Sequence, residues 1–280
     1  MRVLVTGASG FIGGALVPVL AARGHDVRPV ARGELLPHGA EAVVHLANIA
    51  HTHATPEALG RVNVEGTRQL AERAASLGLR RFVYISSIKA SGEETGARPF
   101  DAHETPAPQS DYGRSKLAAE RTLEEVGRTR GLEVVVLRPP LVYGPRAKAN
   151  FLLLLRAIAG GWPLPFASVR NARSSIYLGN LADAIARCLE APRAAGRTYM
   201  VSDGAPRSTP QFCRDIGAAL GRPARLLPFP AALLRRVPAL APLVLDLVLD
   251  DSALRGELAW RPPFSLEEGL RATAEWYRRG

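Results

Sequence analysis

A short apolar run, Arg2-Val-Leu-Val-Thr6, passes directly into Gly7-Ala-Ser-Gly10-Phe-Ile-Gly13, and an amphipathic stretch from Phe11 to about Arg23 then ends at Gly24-His25. No other feature restricts the fold so strongly. Strand, glycine turn and helix in that order form the context in which a glycine pattern reads as a dinucleotide-binding turn. Gly7 permits the tight turn, Gly10 lets the backbone approach a pyrophosphate, and Gly13 lets helix and strand pack closely. The helix N-terminus then offers free N–H groups and partial positive charge to an anion.

Strand-like runs recur at about 26–30, 42–46, 81–86 and 133–138, with a late one near 198–201. This βα rhythm predicts an α/β fold, a doubly wound parallel Rossmann sheet with its ligand crevice at the strands' C-terminal ends. The 280 residues suffice for a dinucleotide-binding domain over 1–147 plus about 174–201, and a smaller substrate-binding lobe over about 148–173 plus 202–280. One connection is short. Residues 31–41 cannot hold a crossover helix and another strand, since a parallel crossover alone needs about a dozen residues, so one edge strand is expected to be missing.

Tyr112-Gly-Arg-Ser-Lys116 supplies candidate chemistry, with Ser87 lying 25 residues upstream, just past a strand end. Residues four apart share a helix face. A phenol of pKa about 10 is a poor proton shuttle at neutral pH, and a neighbouring ammonium lowers that value. Ser110 or Asp111 can cap this helix, and Leu117, Ala119, Leu123 and Val126 would seat it on the sheet. Arginine supplies all but three of the 36 basic residues; the lysines are Lys89, Lys116 and Lys148.

Composition excludes several classes. The net charge is +10, but the arginines are spread along the chain without a dense run interleaved with aromatics, so an anionic cofactor and substrate explain the charge better than nucleic acid does. The most apolar stretch, 237–249, is broken by Pro238, Pro242 and Asp246, which argues against a membrane span. Cys188 and Cys213 are isolated thiols, as a reducing cytoplasm allows. His25, His45, His51 and His53 lack a carboxylate partner or helical pairing, so no metal site is expected.

Together Thr6–Gly13, Val44-His-Leu-Ala47, Asn63-Val-Glu-Gly-Thr67, Phe82-Val-Tyr-Ile-Ser-Ser87, Tyr112-x-x-x-Lys116 and Arg138-Pro-Pro-Leu-Val-Tyr-Gly-Pro145 resemble, in type and order, the extended short-chain dehydrogenase/reductase family. The likeness is to its branch of nucleotide-sugar epimerases, dehydratases and reductases. It implies catalysis by Ser87, Tyr112 and Lys116. It implies cofactor contacts from Gly7, Ser9, Gly10, Phe11, Ile12, Gly13, Arg32, Leu46, Ala47, Asn63, Ile85 and Pro139, besides Tyr112 and Lys116. The stretches Lys148-Ala-Asn-Phe151, Pro163-Leu-Pro-Phe166 and Asn171-Ala-Arg173 resemble substrate loops, so Asn150, Phe166 and Arg173, with Ser87 and Lys89, are assigned to a nucleotide sugar. In relatives the loop after the missing strand contacts the adenine, so that pocket should be more open here.

In the family an acid at the end of the second strand bonds the adenosine ribose. Alignment puts Ala31 there, beside Arg32 and near Arg28, and an arginine can pair with a 2′-phosphate, so the sequence favours NADP(H) over NAD(H). Segments 86–93 and 148–151 most resemble enzymes of UDP-N-acetylhexosamine derivatives. The leading expectation is therefore an oxidoreductase acting at C4 of a UDP-sugar, reducing a UDP-4-keto-6-deoxy-N-acetylhexosamine. A 4-epimerase with retained NAD is the alternative, and a non-catalytic redox sensor is the reading from another class. A dehydratase is disfavoured, because no Ser/Thr-Asp-Glu acid–base set follows Ser87. A homodimer is compatible with the resemblance.

Overall fold

The computed structural model describes residues 1–31, 33–34, 36–49 and 54–279. Six parallel strands form the central sheet: β1 (Arg2–Thr6), β2 (Asp26–Val30), β3 (Ala42–His45), β4 (Arg81–Ile85), β5 (Glu133–Arg138) and, after the two short strands described below, β8 (Arg197–Met200). Their order across the sheet is β2-β1-β3-β4-β5-β8. The chain moves outward from β1 to β2, returns to the other side of β1 at β3, and continues to β8. The reversal beside β1 creates the crevice in which such sheets bind ligands.

β3 and β4 are buried along their whole length, and in β5 only Glu133 is partly exposed. Covered on both faces, they are near-continuous runs of apolar residues, as parallel strands must be. β2 differs: it reads Asp-Val-Arg-Pro-Val and is mostly exposed. Pro29 has no N–H for a second neighbour, and a proline within a strand belongs at an edge. Among the described residues no strand pairs with the outer side of β2, as the short 31–41 connection leads one to expect.

One face of the sheet packs Val3, Val5, Val44, Val83 and Leu137 against Leu16 and Leu20 of helix Phe11–Ala22 and Leu181, Ile185 and Leu189 of helix Leu178–Glu190. The other packs Leu4, Val43, Phe82, Tyr84 and Val136 against Ala71 and Ala74 of helix Gly66–Ser76 and Ala119, Leu123 and Val126 of helix Asp111–Arg130. A third apolar cluster lies off the sheet, joining Phe151, Leu155 and Ile158 of helix Ala149–Ala159, Phe212 and Ile216 of helix Thr209–Leu220, and Leu270 of helix Leu266–Arg278. We propose that this cluster is the core of the smaller lobe. A two-stranded parallel ladder, β6 (Leu141–Tyr143) with β7 (Ser175–Tyr177), borders it.

The layers are tied by a buried guanidinium. Arg81, at the start of β4, is 1% exposed and donates to the carbonyls of Cys188, Leu189 and Ala191 at the end of helix Leu178–Glu190, and to the Glu133 carboxylate. Helix C-termini leave carbonyls without partners, and a cation there also opposes the helix dipole. Replacing Arg81 with Ala should therefore destabilise the chain by about 1–3 kcal/mol, the scale for leaving a buried acceptor without its donor. Urea unfolding measures it, and a loss below about 1 kcal/mol, the scale of an exposed pair, would show that the guanidinium is dispensable.

Candidate active site

The glycine turn has the form its spacing demands. Gly7 has φ +69°, where side chains are strained, and a Cβ there would lie 2.9 Å from the Ala47 nitrogen. At Gly13 a Cβ would meet the Gly7 oxygen at 2.3 Å and the Ala8 backbone at 2.6 Å. Any side chain at Gly13 would push helix and turn apart. Gly10 is the N-cap of helix Phe11–Ala22 and has no side chain to cap it, so the first-turn amides remain available beside exposed Ser9 and Gly10. Phe11 and Ile12 begin the helix. This cradle fits a dinucleotide pyrophosphate.

Leu46 and Ala47 continue from β3 and close the turn: the Leu46 and Ala47 amides donate to the Thr6 carbonyl and hydroxyl. Ile85 ends β4, and Pro139 follows β5, where its carbonyl accepts from the Ile88 amide. These four positions lie along the C-terminal sheet edge beside the cradle.

Helix Asp111–Arg130, packed on one face of the sheet, begins beside that edge with Gly113 against the Lys89 backbone. Ser110 caps it, its hydroxyl accepting from the Gly113 amide at 3.1 Å. Ser87 caps the short helical turn Ile88–Ala90, its hydroxyl accepting from the Lys89 amide, and it also hydrogen-bonds Tyr112. Burial pushes the Tyr112 phenol up to about 12, with the Ser87 hydrogen bond acting the other way. This is opposite to the lowering expected from Lys116.

Lys116 itself is fully buried and donates to the Ile85 carbonyl at 2.7 Å and the Tyr84 hydroxyl at 3.0 Å. Its ammonium also lies 4.5 Å from the Tyr84 ring centre. Burial lowers its pKa from 10.5 to about 7, opposed by the Glu120 carboxylate one turn on. Glu120 is itself buried, accepts from the Ser86 hydroxyl and pairs with the Arg138 guanidinium, which also reaches Ser91 at 3.1 Å. Ser87 thus follows a residue anchored to the same helix that carries Tyr112.

Tyr84, Glu120 and the Arg138 contacts were not found by spacing. The available signal was the set of polar residues within buried runs, each of which must be hydrogen-bonded. His45 is another. Thr6 and Thr67 hydroxyls bond its two ring nitrogens at 2.7 and 3.1 Å, and burial lowers its pKa to about 3. His51 and His53 lie outside the described residues, as does Arg32.

Several assigned contacts take other forms. The Asn63 side chain is fully buried, bonded to the Ile49 amide and carbonyl and to Ser115, so it ties the loop after β3 to the Tyr112 helix. Lys89 pairs with Glu93 at 2.9 Å. Phe166 is 1% exposed within the third apolar cluster, so it packs there rather than presenting a face to a base. Asn150 and Arg173 do come together, lining one cavity of about 80 Å³ with Phe151, Phe212 and Leu243. The Arg173 guanidinium is anchored on the Leu245 carbonyl at 2.9 Å, and burial lowers its pKa.

At the end of β2 stands a carboxylate that alignment did not place. Glu34 accepts from the Ala31 amide at 2.9 Å and lies 3.8 Å from Arg28. It lines a cleft of about 470 Å³ together with Thr6, Ala31, Ala47, Arg61 and Arg73.

The chain matches the model of the NAD dependent epimerase/dehydratase family over residues 3–202. It is 36% identical to a UDP-glucose 4-epimerase of Vibrio cholerae, over 98% of this chain and 94% of that protein. The structure of UDP-glucose 4-epimerase from Thermotoga maritima with UDP-glucose superposes with TM-score 0.81 at 26% identity, covering 100% of this chain and 99% of that one. The Thermus thermophilus UDP-glucose 4-epimerase with NAD gives 0.81 at 26% identity, covering 99% of both chains.

The Lys116 environment has a measurable consequence. Unfolded, the lysine keeps its proton to about 10.5; folded, it loses it near 7. Between those values the unfolded chain binds the extra proton, so stability rises with pH, by up to ~1.4 kcal/mol per pH unit. That contribution is complete above 10.5 and lost as pH falls through 7. The difference in unfolding free energy between the parent and Lys116→Met should carry this slope. A difference independent of pH would show that Lys116 stays protonated throughout.

Proposed function

The chain belongs to the NAD-dependent epimerase/dehydratase family, and we propose that it is a 4-epimerase of a UDP-hexose or UDP-N-acetylhexosamine. It is an enzyme of the short-chain dehydrogenase/reductase type. What supports the reading is the likeness over nearly the whole chain to a UDP-glucose 4-epimerase, together with Ser87, Tyr112 and Lys116 lying beside the glycine cradle. A redox sensor would not need this set intact.

A bound nicotinamide would supply the hydride acceptor and donor for the sugar C4. Tyr112 exchanges the proton of the C4 oxygen, and Ser87 donates a hydrogen bond to the same oxygen. With its pKa raised to about 12, the resting phenol holds its proton, the form that protonates a C4 alkoxide. Taking a proton from a C4 hydroxyl requires the phenolate, which positive charge stabilises; the protonated fraction of Lys116, one helical turn away, supplies it, and that fraction falls as pH rises through about 7. Arg173 and Asn150 hold the substrate diphosphate at the other end of the site.

Purified protein incubated with UDP-glucose or UDP-N-acetylglucosamine should yield the 4-epimer, read by anion-exchange chromatography, without added reductant. Tyr112→Phe should lower turnover by about two orders of magnitude or more, the scale of losing a general acid, while cofactor binding persists. Near-normal turnover would remove Tyr112 from the chemistry. The second reading, reduction of a UDP-4-keto-6-deoxy-N-acetylhexosamine, rests on the character of segments 86–93 and 148–151. It predicts turnover only with such a ketone and exchangeable coenzyme.

We assign the coenzyme as NAD(H), reversing the preference read from Ala31 and Arg32. Glu34 supports this assignment: its carboxylate stands at the end of β2, where it would bond the ribose hydroxyls and repel a 2′-phosphate. NADH should therefore bind at least about tenfold more tightly than NADPH, a difference of about 1.4 kcal/mol. Glu34→Gln should narrow that gap. Tighter NADPH binding by the parent protein, measured by cofactor fluorescence, would restore the NADP(H) reading.

A further inference from the structure

Between Asp215 and Asp246 the chain has no acidic residue, yet it carries Arg222, Arg225, Arg235 and Arg236. The same stretch holds large apolar side chains in water. Leu227 is 52% exposed, Phe229 40%, Leu233 46% and Val237 43%. Leu234, their neighbour on the short helix Ala231–Leu234, is buried at 3%, so this segment is anchored by its inner side while the others project outward.

Trp162, 68% exposed, joins the same surface. Backbone hydrogen bonds between Leu164 and Leu227, and from the Ala167 amide to the Leu227 carbonyl, lay its loop along the segment. Arg222 and Arg225 reach across to the Ala159 and Gly161 carbonyls, fixing their stems beside Trp162. Arg235 pairs with Glu94, and Arg236 is exposed next to Val237.

We infer that this surface docks the protein on an anionic lipid bilayer, with Trp162, Leu227, Phe229, Leu233 and Val237 entering the headgroup region and the four arginines facing lipid phosphates. An exposed apolar group rimmed by charge marks an interaction site. The charge decides the occupant. Apolar side chains interleaved with four arginines, of which Arg235 is paired by Glu94 from another segment, leave a net positive apolar surface that matches the requirements of interfacial binding, in which buried apolar area and attraction to anionic lipid act together. Arginine stems can lie along the apolar layer while their heads stay at the phosphates, and tryptophan favours that same level. No helix among the described residues is long and apolar enough to cross a membrane, so the attachment is peripheral. Pro242 and Leu243, on the same acid-free stretch, line the cavity of Asn150 and Arg173, so the docked segment runs into the proposed substrate site.

Vesicle flotation of the whole protein tests this with phosphatidylglycerol–phosphatidylcholine vesicles against phosphatidylcholine alone. Binding should require the anionic lipid and weaken as salt is raised from about 0.05 to 0.5 M, where charge attraction is screened. Arg235→Glu with Arg236→Glu should lower the partition coefficient at least about tenfold. Phe229→Glu with Leu233→Glu should do the same, while cofactor binding and far-ultraviolet circular dichroism stay unchanged. Absence of flotation, equal flotation on neutral vesicles, or unaltered binding by folded variants would overturn the proposal. So would a stable dimer in sedimentation velocity that Leu233→Glu dissociates, which would give this face to a second copy of the chain.

Discussion

The way helix Asp111–Arg130 is held against β4, and with it the meeting of Tyr112 and Ser87, depends on one buried lysine. The Lys116 ammonium is held by the Ile85 carbonyl, the last acceptor of β4, and by the Tyr84 hydroxyl within that strand. Desolvating an ammonium is costly, and a pKa pulled down to about 7 expresses that cost. What makes the arrangement tolerable is the polar structure around it. Glu120 opposes the shift from one turn away, and is itself balanced by Arg138 and Ser86. A buried ion pair of this kind is weak evidence of stability, since apolar residues could fill the space as well. Its effect is positional: helix Asp111–Arg130, β4 and β5 are tied at the level where Ser87 and Tyr112 meet.

The parts legible in the sequence were those set by backbone sterics and period. The Gly7 and Gly13 roles follow from distances that no Cβ could satisfy. β1, β3, β4 and β5 were visible as apolar runs because the middle of a parallel sheet is buried on both faces, and the helix cap was visible at Ser110 or Asp111 because cap chemistry is local. The shortened connection before β3 could be counted. Pro29 points the same way, because a strand paired on both sides has no place for a residue lacking an N–H.

The rest was hidden because it lies in side-chain partnerships between distant segments. Nothing local to Asn63 says that its amide will be used by Ile49 and Ser115, or that Phe166 will turn into an apolar cluster. The spacing of Tyr112 and Lys116 correctly put them on one face, yet spacing cannot say where an ammonium finds its hydrogen bonds. Tyr84 and Ile85 do that through the register of a strand 31 or 32 residues earlier.

Glu34 shows the same limit most sharply, and in the proposed function it links the short 31–41 connection to the coenzyme. Positional alignment looks for an acid at the residue ending β2 and finds Ala31. Because the chain does not continue into a crossover helix, it turns back at once, and the turn brings Glu34 onto the Ala31 amide. The carboxylate's place at the strand end is thus defined by a backbone hydrogen bond of the turn rather than by its number in the sequence. Among the described residues no strand pairs with the outer side of β2, and that strand end borders a cleft that Arg61 and Arg73 also line. On the proposed NAD(H) reading, the short connection moves the charge that would read the ribose three residues along the chain, from Ala31 to Glu34. A substitution pattern built from longer relatives would score Ala31 as the loss of an acid, whereas in the proposed function the backbone turn supplies that acid from Glu34.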